Sequence, residues 1–293
     1  MASALRPLLR PGTVVLLRSP GVLQVGLSGP TLCLPDLPEV RRLLTGLREP
    51  HGPHAVAEAA QLPAAAAQAL ERLLGAGLAL PAPAAAATPP ELAPLLPPLL
   101  AQTGPDAVRR AAARRSAAVV LDVPDRLRRV LGPLLDAAGL RAVEPGDEGR
   151  VRLVVADGVL ARERLDPLVR SSVPHLVVAG DAARLRVGPF VDPGRTACLR
   201  CVDAHESLHD ERLPLLVAQA AEQCSQRPPP RDPLLDRLAL TWVVRDLARW
   251  LEGDEPSTWS ATVDLDPTAA PSLTRWGRHP YCGCAWDGFL DVP

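Results

Sequence analysis

Four cysteines in two closely spaced pairs are the residues best suited to chemistry in this chain. Two residues separate Cys198 from Cys201, and one separates Cys282 from Cys284 near the end of the sequence. Four thiolates can hold one Zn²⁺ in a closed tetrahedral shell, with Zn–S distances of about 2.3 Å, which leaves no open position for catalysis. We therefore predict a structural zinc site; disulfides, an iron–sulfur cluster and unrelated free thiols are the alternatives.

Cellular location decides between metal and disulfide. We find no signal peptide and no apolar run of membrane-spanning length, so we expect a cytoplasmic protein, and a reducing cytosol favours metal binding. The net charge of −1 gives no electrostatic attraction to nucleic acid or to an anionic membrane. All 32 basic residues are Arg, so a phosphate-binding loop that needs Lys is excluded.

The N-terminal part of the sequence predicts a small domain over residues 1–83, with three strands followed by three helices. The strands are short Val- and Leu-rich runs separated by Pro and Gly turns, and the helices show apolar residues on one face. The predicted strands are 13–18, 22–28 and 31–34, and the predicted helices are 37–47, 54–61 and 63–75. This order is typical of a winged helix.

A Pro/Ala-rich stretch, residues 84–116, predicts a linker, because its proline density is incompatible with a long regular helix. From residue 117 onwards strand and helix patterns alternate, which predicts a mostly parallel, Rossmann-like sheet in a second domain, 117–293. The predicted strands there are 117–122, 151–156, 175–179, 258–265 and 272–275, and the main predicted helices are 124–138, 161–170, 213–223 and 233–251.

Two sequence motifs resemble a known family. Gly194-Arg-Thr-Ala-Cys-Leu-Arg-Cys201 and His279-Pro-Tyr-Cys-Gly-Cys284, together with the alternating pattern, resemble the ThiF/MoeB family of adenylating enzymes, and most closely its ocin-ThiF-like branch. The resemblance covers about residues 117–286. It implies a partner of a YcaO-type cyclodehydratase in the biosynthesis of thiazole/oxazole-modified, bacteriocin-like ribosomal peptides.

In that branch the N-terminal region is a recognition element similar to the PqqD family. The resemblance implies that a precursor leader peptide is bound there, and an exposed strand edge suits this role because an incoming peptide can add to it as a further strand. We expect the groove between the edge 31–34 and the helix 65–74. The predicted peptide-binding residues are Thr31, Leu32, Cys33, Leu34, Gln68 and Arg72.

The chain departs from the family at the nucleotide site. Adenylating relatives place a Gly-rich turn after the first strand, where backbone amides approach the phosphates. Here the turn contains no glycine, and it carries Asp122 and Asp125; Asp157 matches the family's magnesium-binding Asp. We predict a degenerate nucleotide site with no catalytic residue, and hence a pseudoenzyme that presents a peptide to a separate cyclodehydratase.

Two other functions remain as alternatives. The first is an active ThiF-type adenylyltransferase or sulfur-carrier activating enzyme, for which Cys224 would be a reactive thiol. The second is a winged-helix DNA-binding regulator, which is disfavoured because residues 64–74 contain only one base, Arg72, whereas DNA binding needs several phosphate contacts. We expect His205 and His279 close to the metal and Cys33 in the core. The five Trp residues are expected in the core or at a dimer surface, which allows a homodimer.

Overall fold

The computed structural model describes residues 7–48, 62–81, 90–280 and 282–284. It divides into two compact units, Met1–Ala112 and Ala113–Pro293. The predicted helix 54–61 and Trp286 lie outside the described residues. No helix in the described ranges combines the length and apolarity needed to cross a membrane.

The first unit contains a three-stranded antiparallel sheet and short helices. Its elements are β1 (Pro7–Leu9), β2 (Val15–Ser19), β3 (Val22–Val25), β4 (Leu32–Pro35), α1 (Pro38–Arg48), α2 (Ala64–Gly75), β5 (Ala79–Pro81), α3 (Leu96–Thr103) and α4 (Ala107–Ser116). The sheet has the order β2-β3-β4, and β1 pairs separately with β5. The meander and α2 agree with the sequence prediction, whereas β1 and β5 are too short to show a period-2 pattern.

An apolar cluster packs α1 and α2 against the three-stranded sheet. The buried faces of α1 and α2 contribute Leu43, Leu47, Leu70 and Leu73, which pack with Leu34 of β4. Burial of leucine side chains of this size stabilises the packed state by roughly 1.5–3 kcal/mol each. The helix α2 is thereby fixed beside the sheet with its other face in solvent.

The stretch predicted as a linker is more ordered than its composition indicates. In its described part, residues 90–95 form a 3₁₀ turn, which α3 and α4 follow, and the boundary between the two units falls inside α4. Leucines of the 3₁₀ turn and α3, including Leu92 and Leu99, form a cluster of their own with Leu80 and Ala107. Prolines start or end these helices rather than abolish them, because proline is tolerated in a first helical turn.

The second unit is built around a seven-stranded sheet. Its elements are β6 (Ala118–Asp122), α5 (Asp125–Ala138), β7 (Arg141–Val143), β8 (Val151–Val155), α6 (Asp166–Arg170), β9 (His175–Gly180), β10 (Leu185–Val191), α7 (Leu199–Glu206), α8 (Leu213–Gln226), α9 (Pro233–Leu251), β11 (Ala261–Leu265) and β12 (Ser272–Arg275).

The strand order of this sheet is β12-β11-β10-β9-β8-β6-β7. The pairs β7/β6, β6/β8 and β8/β9 are parallel, and β10 and β12 run in the opposite direction. This mixed, mostly parallel α/β sheet agrees with the predicted Rossmann-like fold. Because the chain moves from β6 to one side for β7 and to the other for β8, the sheet has a topological switch point between β6 and β8, where α/β proteins bind ligands.

Aromatic side chains close the core on the antiparallel side. Phe190 of β10 is fully buried, with its ring centroid 5.3 Å from that of Trp250 and 6.1 Å from that of Trp259. Trp242 also packs against this core, and Trp276 packs beside the cysteine cluster. Asp232 caps α9 as expected, because its carboxylate accepts hydrogen bonds from the amides of Leu234 and Leu235 at 2.6 and 3.1 Å.

Candidate functional site

The predicted metal site lies where the parallel strands of the large sheet begin, and the predicted nucleotide site lies where these strands end. Val191, which ends the antiparallel strand β10, pairs with His175, which begins β9. The first cysteine pair follows β10 and therefore lies where the parallel strands begin. Asp122 and Asp157 follow the carboxyl ends of β6 and β8, at the other edge. A metal bound by the cysteines is thus remote from the switch-point crevice.

The four cysteines form one compact cluster. Their sulfur atoms all lie within 4.8 Å of one another, and Cys198 Sγ is 3.8 Å from Cys201 Sγ and 3.4 Å from Cys282 Sγ. Cys201 Sγ is 3.3 Å from Cys284 Sγ. A tetrahedral ion with metal–sulfur bonds of about 2.3 Å requires edges of roughly 3.8 Å, so this donor set fits a four-thiolate metal site. The cluster could hold a metal ion.

The first cysteine pair is held by a turn and a helix start. Asp192 donates its backbone N–H to Thr196 Oγ1 at 2.8 Å, which closes the turn before Cys198. Cys198 is the extended residue that precedes α7, and its carbonyl accepts a hydrogen bond from the amide of Cys201 at 3.0 Å. The two-residue spacing therefore places both sulfurs on one side of the first turn of α7.

The second cysteine pair is attached to the sheet through the segment that follows β12. Ser260 bridges the segments that carry the two cysteine pairs. Its Oγ accepts a hydrogen bond from the Ala197 amide at 3.0 Å, and its carbonyl oxygen accepts one from the Trp276 amide at 2.8 Å. Gly283 separates Cys282 from Cys284 with φ of 75°, a left-handed conformation that a residue with Cβ rarely adopts. The sequence Cys-Gly-Cys is therefore a tight reversal.

Hydrogen bonds inside the cluster favour the thiolate form at two of the four cysteines. The thiol of Cys198 donates to its neighbours, which lowers the pKa of Cys201 and lowers the pKa of Cys284 to about 7, while the pKa of Cys198 itself is raised by its bond to Cys201. The backbone N–H of His279 also donates to Cys201 Sγ, at 3.3 Å. The pKa of Cys282, which its bond to Cys198 lowers, is raised overall by its bonds to Cys201 and Cys284. Thiolates are the metal-binding form of cysteine, and this hydrogen-bond arrangement favours that form at Cys201 and Cys284.

The two histidines expected near the metal lie beside the cluster and outside the group of sulfur donors. His205 Nε2 is 3.0 Å from the carbonyl oxygen of Gly277, and the His205 and His279 rings meet edge to face with centroids 5.1 Å apart. These contacts orient the segment that carries the second cysteine pair, as outer-shell groups of metal sites commonly do.

At the other edge of the sheet, ion pairs occupy the crevice in which a nucleotide would sit. Arg164 Nη2 binds both carboxylate oxygens of Asp122 at 3.1 Å, and the guanidinium of Arg126 forms a short ion pair with Asp157. Asp122 and Asp157 line the same crevice, and each is paired with an arginine. Asp125 does not join them: its side chain is fully exposed and 3.4 Å from Arg128.

Arg231 fills the crevice further and was not predicted from the sequence as part of this site. Its side chain is only 5% exposed, and it binds the Asp236 carboxylate with Nε–Oδ1 at 2.9 Å. Its Nη1 donates to the carbonyls of Ala156 and Gly180, at 3.0 and 2.9 Å, at the ends of β8 and β9. These carbonyls at the ends of β8 and β9 are therefore satisfied from within the chain. The sequence feature that could have indicated this role is the opposite charge of Asp236, five residues after Arg231 on α9.

Cys224 lines the same crevice. The thiol is half-buried, and its Sγ is 3.5 Å from the amide nitrogen of Val159. Arg231, which lies near Cys224 in sequence, is committed to Asp236 and to backbone carbonyls, so it does not activate this thiol. Arg231 is therefore not the cationic partner that a reactive thiol at Cys224 would need.

Among the described residues of the first unit, β4 pairs with β3 alone and is an edge strand of the three-stranded sheet, as expected. The Asp36 amide donates to the Gly21 carbonyl at 2.9 Å, so Leu34 and Leu32, which have the same parity as Asp36, lie at the hydrogen-bonded positions of the β3/β4 register. Cys33, opposite Gln24, lies at a position without such bonds, and in an antiparallel ladder the N–H and C=O of one residue point to the same side. Cys33 therefore points its N–H and C=O away from β3, and its carbonyl accepts a hydrogen bond from Arg72 Nη2 at 3.0 Å. The outward backbone groups of this edge face the α2 side.

The expectation that Cys33 is a core residue was wrong. Leu34 is buried on the core side of β4, so strand alternation places the Cys33 side chain on the opposite, exposed face. Gln68 and Arg72, one turn apart on α2, are both exposed. Thr31, the remaining predicted peptide-binding residue, precedes β4 and is exposed.

Comparisons with known proteins place the fold. No family model and no curated protein matches this chain. Among solved structures, the heterocyclase TruD matches with a TM-score of 0.69 at 18% identity, over 96% of this chain and 42% of that chain. A heterocyclase in complex with substrate and cofactor matches with a TM-score of 0.68 at 18% identity, over 96% of this chain and 39% of that one. This chain thus spans about two fifths of the heterocyclases' length.

A third neighbour is comparable in size. MccB of E. coli, in a structure with MccA-N7isoASN, matches with a TM-score of 0.66 at 12% identity, over 96% of this chain and 99% of that chain. A further structure of MccB, with a TM-score of 0.63 at 12% identity, contains ATP. At these identities the likeness concerns the fold, and nearly the whole length of this chain has the fold that MccB and one part of the heterocyclases share.

Proposed function

We propose that this chain binds the leader segment of a ribosomal precursor peptide and presents it to a YcaO-type cyclodehydratase for azoline and azole formation. The observation that carries the proposal is the free edge of β4 beside the exposed face of α2. Support also comes from neighbours of the same fold that were solved with a substrate, in a heterocyclase, and with MccA-N7isoASN, in MccB. In this proposal the chain itself catalyses no reaction.

The edge of β4 has the hydrogen-bonding groups that strand addition needs. The outward N–H and C=O of Cys33 are available to a peptide once the exposed Arg72 side chain moves off the carbonyl. Thr31, two residues before Cys33, points its N–H and C=O in the same outward direction. Pro35, two residues after Cys33, ends this row of outward donors because proline has no N–H. Main-chain bonds at this edge would supply affinity, and side chains of α2 such as Gln68 would supply selectivity.

DNA binding is the weaker alternative for this unit. On α2, Arg72 is the one cation, it is already bonded to Cys33, and the exposed Glu71 lies next to it. A recognition helix that contacts phosphates needs several cations, because each phosphate contact contributes to the salt-dependent affinity.

The crevice of the second unit supports a scaffold rather than an adenylating enzyme. A triphosphate at the end of β6 would have to separate Asp122 from Arg164 and Asp157 from Arg126, and would meet the freed carboxylates. In the described part of the chain, the turn that leads into α5 has Asp125 in its first helical turn, where an anion would otherwise gain from the helix dipole.

We further propose that the ion held by the four cysteines is Zn²⁺, in a structural role. An all-sulfur tetrahedral shell leaves no open coordination position, and the cluster lies at the edge of the sheet remote from the crevice. The ion would join the segment after β12 to the start of α7, so that its binding free energy contributes to folding.

The substitution Cys33→Pro tests strand addition. It removes the outward N–H without breaking the bonds between β4 and β3, so we expect the Kd for a labelled leader peptide of the genetically linked precursor to rise by at least about tenfold in fluorescence polarisation. Cys33→Ala, which keeps the N–H, should bind like the parent chain. Unchanged affinity of the folded Cys33→Pro protein would contradict the proposal. Leu32→Pro is unsuitable, because it would also disrupt the ladder to β3.

Titration with Mg-ATP tests the loss of nucleotide chemistry. We expect no saturable heat up to about millimolar nucleotide, because the crevice is filled by its own ion pairs, whereas E. coli MccB measured in parallel serves as the positive control. A micromolar Kd, or exchange of labelled pyrophosphate into ATP, would favour the adenylyltransferase alternative.

Metal content tests the zinc assignment. The purified chain should contain one zinc ion per four-cysteine cluster, and Cys198→Ser should lose it and lower the free energy of unfolding by more than about 3 kcal/mol, because metal binding is coupled to folding. Cys33→Ser, at an exposed thiol, should keep both metal and stability. A parent protein without metal and with normal stability, or one that contains iron and sulfide, would overturn the assignment.

A further inference from the structure

The second outer strand of the three-stranded sheet, β2, has an apolar edge that the proposed function does not use. Among the described residues, β2 pairs with β3 alone. Four of its five residues are exposed, and they include Leu16, which is 40% exposed, and Leu17, which is 64% exposed. Such an edge is a template for another strand unless charges, prolines or bulges protect it. β2 carries one charge, Arg18, and no proline, and its register is irregular only beyond Leu17, at the hairpin end.

The register with β3 determines which backbone groups of β2 point outward. The Gly26 amide donates to the Val14 carbonyl at 2.8 Å, so Val14 lies at a hydrogen-bonded position of this ladder. Leu16, two residues later, also directs its N–H and C=O towards β3. Val15 and Leu17 therefore direct theirs away from the sheet, because bonded and non-bonded positions alternate along an antiparallel strand.

This edge is complementary to itself. When two copies of β2 run antiparallel about a two-fold axis at Leu16, Val15 of one copy lies opposite Leu17 of the other. Each of these two pairs exchanges two hydrogen bonds, so all the outward groups of both residues are used. A register shifted by one residue would place outward groups opposite inward ones and lose these bonds.

The side chains of the edge fit the same two-fold arrangement. The two Leu16 residues form a non-hydrogen-bonded pair, the position at which side chains of an antiparallel ladder approach most closely. Leu17 lies beside Val15 of the other copy, so its exposed side chain gains an apolar neighbour. Arg18 lies opposite Val14, so like charges do not face each other. Backbone groups, apolar side chains and charge are thus all compatible with symmetry about one residue, as a contact of one patch with itself requires.

We propose that β2 pairs with β2 of a second copy of this chain, which forms a sheet in the order β4-β3-β2-β2-β3-β4. The two β4 edges lie at the outer ends of this sheet, so the inference goes beyond leader binding and leaves both leader-binding edges free. A contact of three residues per strand buries less than the roughly 1,200 Å² of a standard interface, so we expect a weak dimer, with a Kd of about 10–100 µM.

Charge variants at Leu16 test the proposal, because this residue lies opposite itself only in the two-fold contact. In sedimentation equilibrium of the full-length, metal-loaded chain, Leu16→Glu and Leu16→Arg should each raise the dimer Kd by at least about tenfold, since like charges meet across the axis. An equimolar mixture of the two variants should associate again as a heterodimer. The same two substitutions at Leu27, which is 67% exposed and lies outside β2, should leave dimerisation of the parent unchanged.

A disulfide reports the register, and a proline variant tests the backbone bonds. In a Cys33→Ala background, which removes an exposed native thiol, Leu16→Cys should form an intermolecular disulfide in a glutathione redox buffer. The reason is that Cα atoms of a non-hydrogen-bonded pair lie about 4.5 Å apart, within disulfide range. Leu27→Cys should form none. Leu17→Pro removes an outward N–H without breaking bonds to β3, so it should abolish the dimer and leave the Kd for the leader peptide unchanged.

Three results would overturn the proposal. The first is a parent chain that stays monomeric up to about 0.5 mM. The second is a dimer that the charge variants at Leu16 and the folded Leu17→Pro protein all leave unchanged, which would place the interface elsewhere. The third is weaker leader binding by Leu17→Pro together with unchanged binding by Cys33→Pro, which would make β2 the leader-binding edge. Unchanged leader binding by Cys33→Pro alone contradicts the proposed function and leaves the dimer in place.

Discussion

Backbone carbonyls at the ends and edges of sheets must find hydrogen-bond donors, and in the described part of the chain arginine supplies the donor at several such places, two of which can be compared directly. At the ends of β8 and β9 the donor is Arg231, which is buried and anchored by Asp236. At the edge of β4 the donor is Arg72, whose side chain is exposed. Within the described residues, it is bonded to the Cys33 carbonyl and forms no ion pair. A buried, charge-paired guanidinium closes its site, whereas an exposed one can exchange with an incoming peptide N–H at little cost. The same kind of hydrogen bond is thus fixed inside the second unit and exchangeable at the edge of β4.

The cysteine cluster gives the second unit its other constraint. It connects the start of α7 with the segment after β12, two parts of the chain that approach each other only because β10, β11 and β12 are antiparallel neighbours. The cluster and the crevice lie at opposite ends of the strands of one sheet, so a metal ion held by the cysteines would not depend on the residues of the crevice. The presence of the thiolate knuckles is therefore evidence of fold and carries no evidence of adenylation.

Several features followed directly from the sequence. Apolar alternation and turn residues located the meander β2-β3-β4, the caps Asp232 and Gly139 delimited long helices, and the cysteine spacing identified which sulfurs would meet. Other features could not be obtained in this way. The strands β1, β5 and β7 have three residues each, too few for periodicity, and β10 was obscured by the Gly-Pro sequence inside it. The ordering of the Pro/Ala-rich stretch depends on tertiary packing of its leucines. The pairing of Arg126, Arg164 and Arg231 with aspartates depends on three-dimensional proximity across long sequence separations.

The orientation of the β4 edge is the most consequential of the unforeseen details. A sequence predicts that a strand lies at an edge but not which residues point their N–H groups outward, since that parity is set by the register with β3. Amide hydrogen exchange of Cys33 with and without the leader peptide is the most direct measurement of the central claim. The account predicts that its N–H exchanges readily in the free chain and becomes protected on binding, whereas the Leu34 N–H, already bonded to β3, is protected in both states. Binding of the leader without any change in protection at Cys33 would contradict it.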